Sequence, residues 1–277
     1  MDEQAFIQGL AASNRQRLRR FPDKRRAEAF IENLFDFVFS NASVAGDIEE
    51  DVEARYAALK KALKNLLQEV GQEESKGGAH VSQFFSALPR IHAALLKDAE
   101  SVLQFDPAAQ SLEEVIVTYP GFFATAVYRL SHQLWGQGIP LLPRLFSEYA
   151  HSKTGIDIHP AAIIGASFSI DHGTGIVIGE TASIGDGVKI YQGVTLGALN
   201  VSKEEASRKR HPSIGNGVII YSGATILGGD TVVGEGSIIG GNVWLTYSVP
   251  HNSVVYHKSE IKIKDKNPFP EPINFII

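Results

Sequence analysis

The feature that most constrains the fold is a six-residue period of aliphatic side chains in the second half of the chain. The period runs in three series: Ile158, Ile164, Ile170 and Ile176; after a shift of two residues, Ile178, Ile184, Ile190 and Leu196; and, after a break, Ile214, Ile220, Ile226, Val232 and Ile238. Glycine follows many of these residues directly, as at Ile164-Gly165 and Ile184-Gly185. This spacing is typical of a hexapeptide-repeat β-helix.

Six residues form one short strand and a corner, and three such units close a triangular coil of about eighteen residues. The aliphatic side chain points inward and stacks on its equivalent in the next coil, at the strand spacing of about 4.8 Å. Glycine suits the corners because it adopts backbone angles that other residues avoid. A β-sandwich of short strands would instead show a two-residue alternation. The repeat therefore predicts a parallel β-helix.

The break between Leu196 and Ile214 is filled by the mostly polar stretch GALNVSKEEASRKRHPS. We interpret residues 198–213 as a loop extruded from the coil, which returns at Arg210-His211-Pro212. Loops that are carried by a rigid scaffold often hold functional residues. The loop is therefore a candidate part of a site.

The first half of the chain has helical periodicity instead. Apolar residues recur at three- and four-residue steps in residues 27–39, 51–70 and 122–135. We expect an α+β protein: an all-α N-terminal domain in residues 1–150, a left-handed parallel β-helix in 151–250, and a C-terminal extension and tail in 251–277.

Composition excludes several classes of function. The chain has 44% hydrophobic and 21% charged residues with a net charge of −5, which favours neither a nucleic-acid surface nor a membrane span. It contains no cysteine, so disulfides, thiolate metal sites and a cysteine nucleophile are excluded. We expect a cytoplasmic protein.

Four motifs connect the repeat to a known family. They are DIHPAAIIG (157–165), IDHGTG (170–175), GVTLGAL (193–199) and RHPSIG (210–215). Further agreement lies upstream, at Asp106-Pro107-Ala108 and PGFFATAVYRLSH (120–132). In order and spacing these motifs resemble the serine O-acetyltransferases, in particular bacterial forms with a long helical N-terminal part. The resemblance covers roughly residues 100–250 and implies acetyl transfer from acetyl-CoA to L-serine, which gives O-acetyl-L-serine for cysteine biosynthesis.

Acetyl transfer to an alcohol needs a general base, because a serine hydroxyl is a poor nucleophile at neutral pH. Histidine has a pKa near the operating pH, and His172 is the candidate. A carboxylate that fixes the tautomer of such a base is a common partner. The resemblance assigns that role to Asp157, fifteen residues earlier.

A serine substrate carries both an ammonium and a carboxylate. The planar fork of an arginine suits a carboxylate, and Arg210 matches the family position for it. By the same resemblance Asp106 and Asp171 bind the ammonium, and His211 orients the substrate or steadies the oxyanion.

The resemblance implies that acetyl-CoA lies along the outside of the β-helix. Its predicted contacts are Gly197, Ala198, Gly223, Ala224 and Gly241. No metal is expected. The family commonly ends its β-helix with Ala-Gly-Val-Pro-Ala, whereas this chain has SVPHNSVVYHKSEIKIK (248–264).

Two kinds of partner are implied as well. Related acyltransferases form trimers with sites between neighbouring prisms, so we expect a homotrimer or a dimer of trimers. The chain ends in Asn274-Phe275-Ile276-Ile277, which is similar to the family tail whose terminal isoleucine enters the active site of O-acetylserine sulfhydrylase. Packing of this tail on its own subunit is the alternative.

Two other functions remain open. One is acetyl transfer to a different hydroxyl, such as that of homoserine or a sugar; Asp106 and Asp171 favour an acceptor that bears an ammonium. The other is a metal-dependent hydratase on the same β-helix, which would need three histidine ligands that converge at a subunit interface, and the candidates are His159, His172 and His211. His159 taken alone fits a structural role.

Overall fold

The computed structural model describes residues 2–17, 21–39, 48–199 and 208–258. The helices in these ranges are α1 (Glu3–Arg17), α2 (Lys24–Phe39), α3 (Ile48–Glu69), α4 (Glu74–Phe105), α5 (Leu112–Thr118), α6 (Pro120–Gly136) and α7 (Leu142–Thr154). The helices predicted over 27–39, 51–70 and 122–135 correspond to α2, α3 and α6. None of the helices described is both long enough and apolar enough to cross a membrane.

The helical part has its own apolar core. Buried phenylalanines from four helices, Phe30 of α2, Phe84 of α4, Phe122 of α6 and Phe146 of α7, lie in one cluster. Helix α1 differs, because its large apolar side chains Phe6, Ile7 and Leu10 are exposed. The long helix α4 ends at Phe105, and Asp106 is its C-cap.

Helix α7 ends at Gly155, which adopts a positive φ of 71°, and the first strand begins two residues later. The strands are β1 (Asp157–Ile158), β2 (Ile163–Ile164), β3 (Ser169–Asp171), β4 (Val177–Ile178), β5 (Ser183–Ile184), β6 (Lys189–Tyr191), β7 (Thr195–Gly197), β8 (Ser213–Ile214), β9 (Ile219–Ile220), β10 (Thr225–Leu227), β11 (Val232–Val233), β12 (Ile238–Ile239), β13 (Trp244–Leu245) and β14 (Val254–Val255).

The strands form the three sides of a left-handed parallel β-helix. The first side has the order β1-β4-β7-β10-β13, the second β2-β5-β8-β11, and the third β3-β6-β9-β12-β14. Pairing is parallel throughout, and inward residues face each other in register, as with Ile158↔Ile178 on the first side and Ile164↔Ile184 on the second. The predicted fold class is confirmed.

The shift of two residues in the repeat has a definite place in this coil. Ile170 in β3 and Ile178 in β4 are both buried, and the extra residues lie between them, in the corner that contains His172. Ile176 is also buried, at the inner end of this corner. The break in the sequence period therefore marks a widened corner.

The predicted inward positions Val232 and Ile238 are wrong. Val233 and Ile239 are fully buried, whereas Val232 is 46% exposed. One residue is inserted in the corner after β10, where Gly228 has a φ of 102°. Because side chains alternate between the faces of a strand, a shift of one residue exchanges the inward and outward positions.

The predicted loop leaves and re-enters the coil between β7 and β8. Residues 200–207 within it lie outside the described residues, and so does the predicted tail from residue 259 onwards.

The helical part packs against the first coil through hydrogen bonds to its backbone. The Tyr128 hydroxyl of α6 donates to the Ala162 carbonyl (2.6 Å), and the Ser101 hydroxyl of α4 donates to the Ser167 carbonyl (3.0 Å). The end of α4 is thereby held beside β3 and β6. This contact sets the position of Asp106 relative to the coil.

Candidate active site

His172 lies directly after β3, at the corner between the third and first sides, which we call the His172 corner (residues 172–176). Its backbone has a φ of 58°, and Gly173 and Gly175 follow at 91° and 84°. A positive φ is costly for a residue with a side chain and is often found at functional sites. The His172 ring is 72% exposed, and its Nε2 lies 3.6 Å from Asp171 Oδ1. The ring is thus presented to solvent beside a carboxylate.

Asp106 reaches the same corner from the end of α4. Its Oδ1 accepts a hydrogen bond from the Ala108 N–H (2.8 Å) and its Oδ2 accepts one from the Tyr119 hydroxyl (2.7 Å). These two bonds are the main cause that holds the pKa of Asp106 below its ordinary value. The nearby charges of Lys189 and His172 act in the same direction. Asp106 is therefore kept ionised.

The Tyr119 hydroxyl is correspondingly hard to ionise. Its hydrogen bond to Asp106, helped by burial, raises the pKa of Tyr119 to about 12. The tyrosine therefore acts as a fixed hydrogen-bond donor at the site.

Asp171 contacts a lysine on the neighbouring strand β6. The Lys189 Nζ lies 3.4 Å from Asp171 Oδ2 and donates a hydrogen bond to the Phe105 carbonyl (3.2 Å). The corner thus joins one histidine, two carboxylates, a tyrosine and a lysine. Of these, sequence reasoning predicted Asp106, Asp171 and His172, and it missed Tyr119 and Lys189. The sequence did contain a signal for Lys189, which directly precedes the inward Ile190. The equivalent positions in the neighbouring coils hold the uncharged residues Ser169 and Ile219.

Asp157 begins β1, one coil before the strand that follows the His172 corner. Ile156, directly before it, packs under that corner: a Cβ at Gly173 would lie 2.5 Å from Ile156 Cδ1. Within the described residues, no hydrogen bond or ion pair joins the Asp157 side chain to His172, and Asp171 is the carboxylate beside the ring. The Asp157–His172 pair stays a prediction.

Arg210 and His211 lie at a different corner, between the first and second sides, which we call the Arg210 corner (residues 179–182 and 210–212). Thr181 organises it. The Thr181 hydroxyl accepts hydrogen bonds from the backbone N–H groups of Arg210 (2.9 Å) and His211 (3.1 Å). It also lies 2.8 Å from His211 Nδ1, which accepts a bond from the Thr181 N–H (3.0 Å). These bonds fix the point at which the loop re-enters the coil.

His211 is neutral in this environment. Its side chain lies over Gly179, where a Cβ would come within 2.1 Å of His211 Nε2. Burial, reinforced by the charges of Arg210 and Lys209, lowers the pKa of His211 to about 4. Because Nδ1 accepts a bond from the Thr181 N–H, this network assigns the ring proton to Nε2. The ring can then donate a hydrogen bond.

The Arg210 guanidinium forms an ion pair with Glu180. Burial raises the pKa of Glu180, but the hydrogen bond and charge of Arg210, together with the charges of two histidines, outweigh it and leave that pKa below its ordinary value. Sequence reasoning did not predict Glu180. A carboxylate is therefore already seated against the arginine that is predicted to bind a substrate carboxylate.

The predicted coenzyme residues are divided between the two corners. Gly223, Ala224 and Gly241 lie at the edge between the third and first sides, in later coils than His172. Gly197 and Ala198 lie where the loop leaves the coil, on the Arg210 side. Ala224 is fully buried, and its backbone N–H and carbonyl are already hydrogen-bonded to Tyr221 and Thr195, so within this chain it offers no exposed surface for contact. Gly223 has a φ of 71°, and a Cβ there would lie 2.3 Å from Asn242 Oδ1, so glycine is favoured at this corner.

Within one chain, the three histidines of the hydratase alternative are not all together. His159 and His211 lie at the Arg210 corner, and His172 lies across the first side. His159 Nδ1 accepts a hydrogen bond from the Ala161 N–H (3.1 Å), and burial lowers its pKa to about 4. In the part of the chain that the structure describes, no group of three or more metal-binding side chains is found.

Comparisons with known proteins agree with the motifs, although no family profile matches the chain. The serine acetyltransferase encoded on a plasmid of Synechococcus elongatus is 50% identical over 199 residues, which cover 70% of this chain and 61% of that protein. The match thus spans less than two thirds of that relative. The serine acetyltransferase of Mycobacterium tuberculosis is 46% identical over 162 residues, which cover 58% of this chain and 69% of that protein.

A solved structure is similar as well. The crystal structure of serine acetyltransferase isoform 3 from Entamoeba histolytica, in complex with cysteine, superposes with a TM-score of 0.78 at 32% identity. The superposition covers 86% of this chain and 84% of that one. It therefore includes the helical part as well as the β-helix.

Proposed function

The chain belongs to the serine acetyltransferase family, and we propose that it transfers the acetyl group of acetyl-CoA to the hydroxyl of L-serine. The observation that carries this proposal is the His172 corner, where an exposed histidine lies beside Asp171 and close to Asp106. The product would be O-acetyl-L-serine, the precursor that this family supplies for cysteine biosynthesis.

In this mechanism His172 accepts the proton of the serine hydroxyl as its oxygen attacks the thioester carbonyl. The C–S bond then breaks, and the protonated ring returns the proton to the leaving thiolate. Asp106 and Asp171 bind the substrate ammonium, since both are carboxylates at the same corner. Asp157 would orient His172.

The substrate carboxylate is assigned to Arg210, where it would replace Glu180 as the partner of the guanidinium. His211, neutral with its proton on Nε2, would donate a hydrogen bond to the substrate or to the oxyanion. Acetyl-CoA would lie along the edge that leads to His172. Gly223 and Gly241 lie two and three coils beyond that corner, roughly 10–14 Å along the axis.

These assignments require two chains at one site. His172 and Arg210 lie at opposite edges of the first side, roughly 10–15 Å apart for a strand with its flanking residues. We therefore propose a trimer in which the His172 corner of one subunit meets the Arg210 corner of the next. The helical part would join two such trimers.

The acceptor is tested with a panel of serine, homoserine and a sugar, each with acetyl-CoA, scored by release of free thiol. We expect serine to be preferred. His172→Ala should lower turnover by about 10²–10⁴-fold, the usual contribution of a general base. His151→Ala, at an exposed position on α7, is the matched control and should leave turnover unchanged. Thiol release that did not depend on the acceptor, or an active His172→Ala variant, would contradict the proposal.

The shared site is tested by mixing subunits. His172→Ala and Arg210→Ala chains should each be inactive alone. When they are co-expressed at equal levels, about a quarter of the interfaces of a randomly mixed trimer would combine both intact corners. Activity would then return to about that fraction of wild type. No recovery, or a fully active monomer in light scattering, would refute the trimeric arrangement.

A protein partner is proposed from the resemblance alone, because the tail lies outside the described residues. We propose that Ile277 enters the active site of O-acetylserine sulfhydrylase, where the terminal carboxylate imitates that of the substrate. A peptide of the last ten residues should compete with O-acetylserine, and deletion of Ile277 should abolish the complex without affecting acetyl transfer. Equal binding of the full chain and the deletion would contradict this role. A cytoplasmic location stays a prediction.

A further inference from the structure

Lys189 is a buried lysine on the outer face of the third side, and the mechanism above gives it no role. It is only 6% exposed. A buried ammonium costs several kcal/mol unless charged and polar partners compensate it. Lys189 has such partners: its Nζ lies 3.4 Å from Asp171 Oδ2 and 3.2 Å from the Phe105 carbonyl. It also lies 4.7 Å from the centroid of the Tyr191 ring.

The two polar partners are adjacent to the two carboxylates predicted to bind the substrate ammonium. Asp171 is one of them, and Phe105 directly precedes Asp106, the other. The space between α4 and β3 is otherwise filled: a cavity of only about 10 Å³ remains there, lined by Phe105, Asp106, Asp171, Lys189 and their neighbours. The lysine thus reaches both carboxylate-bearing segments from the side that faces away from solvent.

The groups that face this ammonium are either negatively charged or neutral. Asp171 faces it from β3, Asp106 from the end of α4 and the Tyr191 hydroxyl from β6, with Tyr119 beside Asp106. Burial acts to lower the pKa of Lys189, but Tyr191 and Asp171 outweigh it and leave the pKa above its ordinary value. The lysine is therefore charged at neutral pH.

We propose that Lys189 is a positioning residue of the acetyl-acceptor site. Its ammonium fixes Asp171 and the end of α4 that carries Asp106, and it neutralises one of these two carboxylates. The pair then keeps a single uncompensated negative charge, which matches an acceptor with one ammonium group. This inference rests on the proposed function.

The charge of Lys189 also bears on His172. Asp171 lies between the two cations, with Oδ2 toward Lys189 and Oδ1 toward the His172 ring. If Lys189 is made neutral, Asp171 and Asp106 attract the protonated ring without compensation, and the pKa of His172 should rise. The acidic limb of the pH profile of kcat/KM for serine should then move to higher pH.

The experiment compares Lys189→Met and Lys189→Gln with the wild-type protein. Glutamine keeps a hydrogen-bond donor for the Phe105 carbonyl but has no charge, so it separates charge from packing if Lys189→Met folds poorly. We expect the KM for serine to rise about tenfold, as for the loss of one charge-assisted contact. The KM for acetyl-CoA should stay unchanged. Lys153→Met is the matched control, because Lys153 also pairs with a carboxylate, Glu32, and lies over aromatic rings, but in the helical part.

Two further measurements make the outcome decisive. The His172 ring is titrated by NMR without substrates, and its signal is identified by its loss in His172→Ala. The titration is repeated in an Asp171→Asn background. The direct repulsion between the Lys189 and His172 charges still acts there, so the part of the Lys189→Gln shift that disappears in this background measures how far Lys189 acts by positioning Asp171.

If the His172 ring titrated at the same pH in Lys189→Gln as in wild type, the proposal would be overturned even if the KM for serine rose. Lys189 would then act through packing alone. A KM for serine within twofold of wild type would overturn it too. If wild-type protein released no thiol with serine, the proposed function would fail instead, and the titration would still decide whether Lys189 acts on the corner.

Discussion

A buried ion pair between Asp98 of α4 and Arg129 of α6 anchors the helical part to the first coil. Asp98 is 1% exposed, and its carboxylate accepts hydrogen bonds from Arg129 Nε (2.5 Å) and Nη2 (2.8 Å) and from the Phe168 N–H (2.9 Å). The same Nη2 donates to the Gly165 carbonyl (2.7 Å). Arg129→Met would therefore leave a buried carboxylate with one remaining donor.

The expected loss of stability follows from that geometry. Removal of one partner of a buried ion pair costs about 3–5 kcal/mol, because the remaining charge is left uncompensated. For a chain of this size that corresponds to a fall in Tm of about 10 °C. Arg144→Met, which breaks the exposed pair with Glu148 on α7, should change the stability by only ~0–1 kcal/mol.

The pH dependence separates an uncompensated charge from lost packing. Burial already raises the pKa of Asp98 above its ordinary value, against the pull of Arg129, and loss of Arg129 should raise it further. A folded state that binds the proton more tightly than the unfolded state gains stability as the pH falls. The stability that Arg129→Met loses relative to wild type should thus be largest above neutral pH and become smaller toward pH 5.

Thermal unfolding at several pH values, followed by circular dichroism, measures this deficit. Addition of Asp98→Asn to Arg129→Met removes the buried charge, keeps an acceptor for the Phe168 N–H, and should recover part of the loss. The reasoning would be refuted if Arg129→Met unfolded within about 2 °C of wild type, or if its deficit did not depend on pH.

Two further predictions concern the site. The pKa of His211 is about 4 in the folded protein against an ordinary 6.5, so between these values the unfolded chain binds a proton that the folded protein does not. The free energy of unfolding should therefore decline as the pH falls from about 6.5 to 4. Thermal unfolding of His211→Asn should show a smaller decline. Tyr119→Phe removes the 2.7 Å bond to Asp106, so the Asp106 pKa should rise; the KM for serine should increase roughly tenfold, and most strongly at acidic pH. A KM that was unchanged at every pH would contradict the role given to Tyr119.

The sequence by itself determined the β-helix, because its rule is local and periodic. An aliphatic residue at every sixth position fixes which side chain points inward, and residues from Ile158 to Ile226 follow that rule apart from the shift at the His172 corner and the extruded loop. The rule failed at Val232 and Ile238, since one inserted residue at a corner exchanges the faces of the strands that follow. The motif around Asp171-His172 was also visible, because it interrupts the repeat.

Only the tertiary structure decided what surrounds these residues. Lys189 and Phe105 are 84 positions apart in the chain, and the Tyr119 bond to Asp106 depends on how α5 and α6 fold back on the end of α4. Glu180 reaches Arg210 only after the loop has returned to the coil. Such contacts join segments whose separation follows no period, so they arise from the packing of helices against the coil and not from any pattern along the chain.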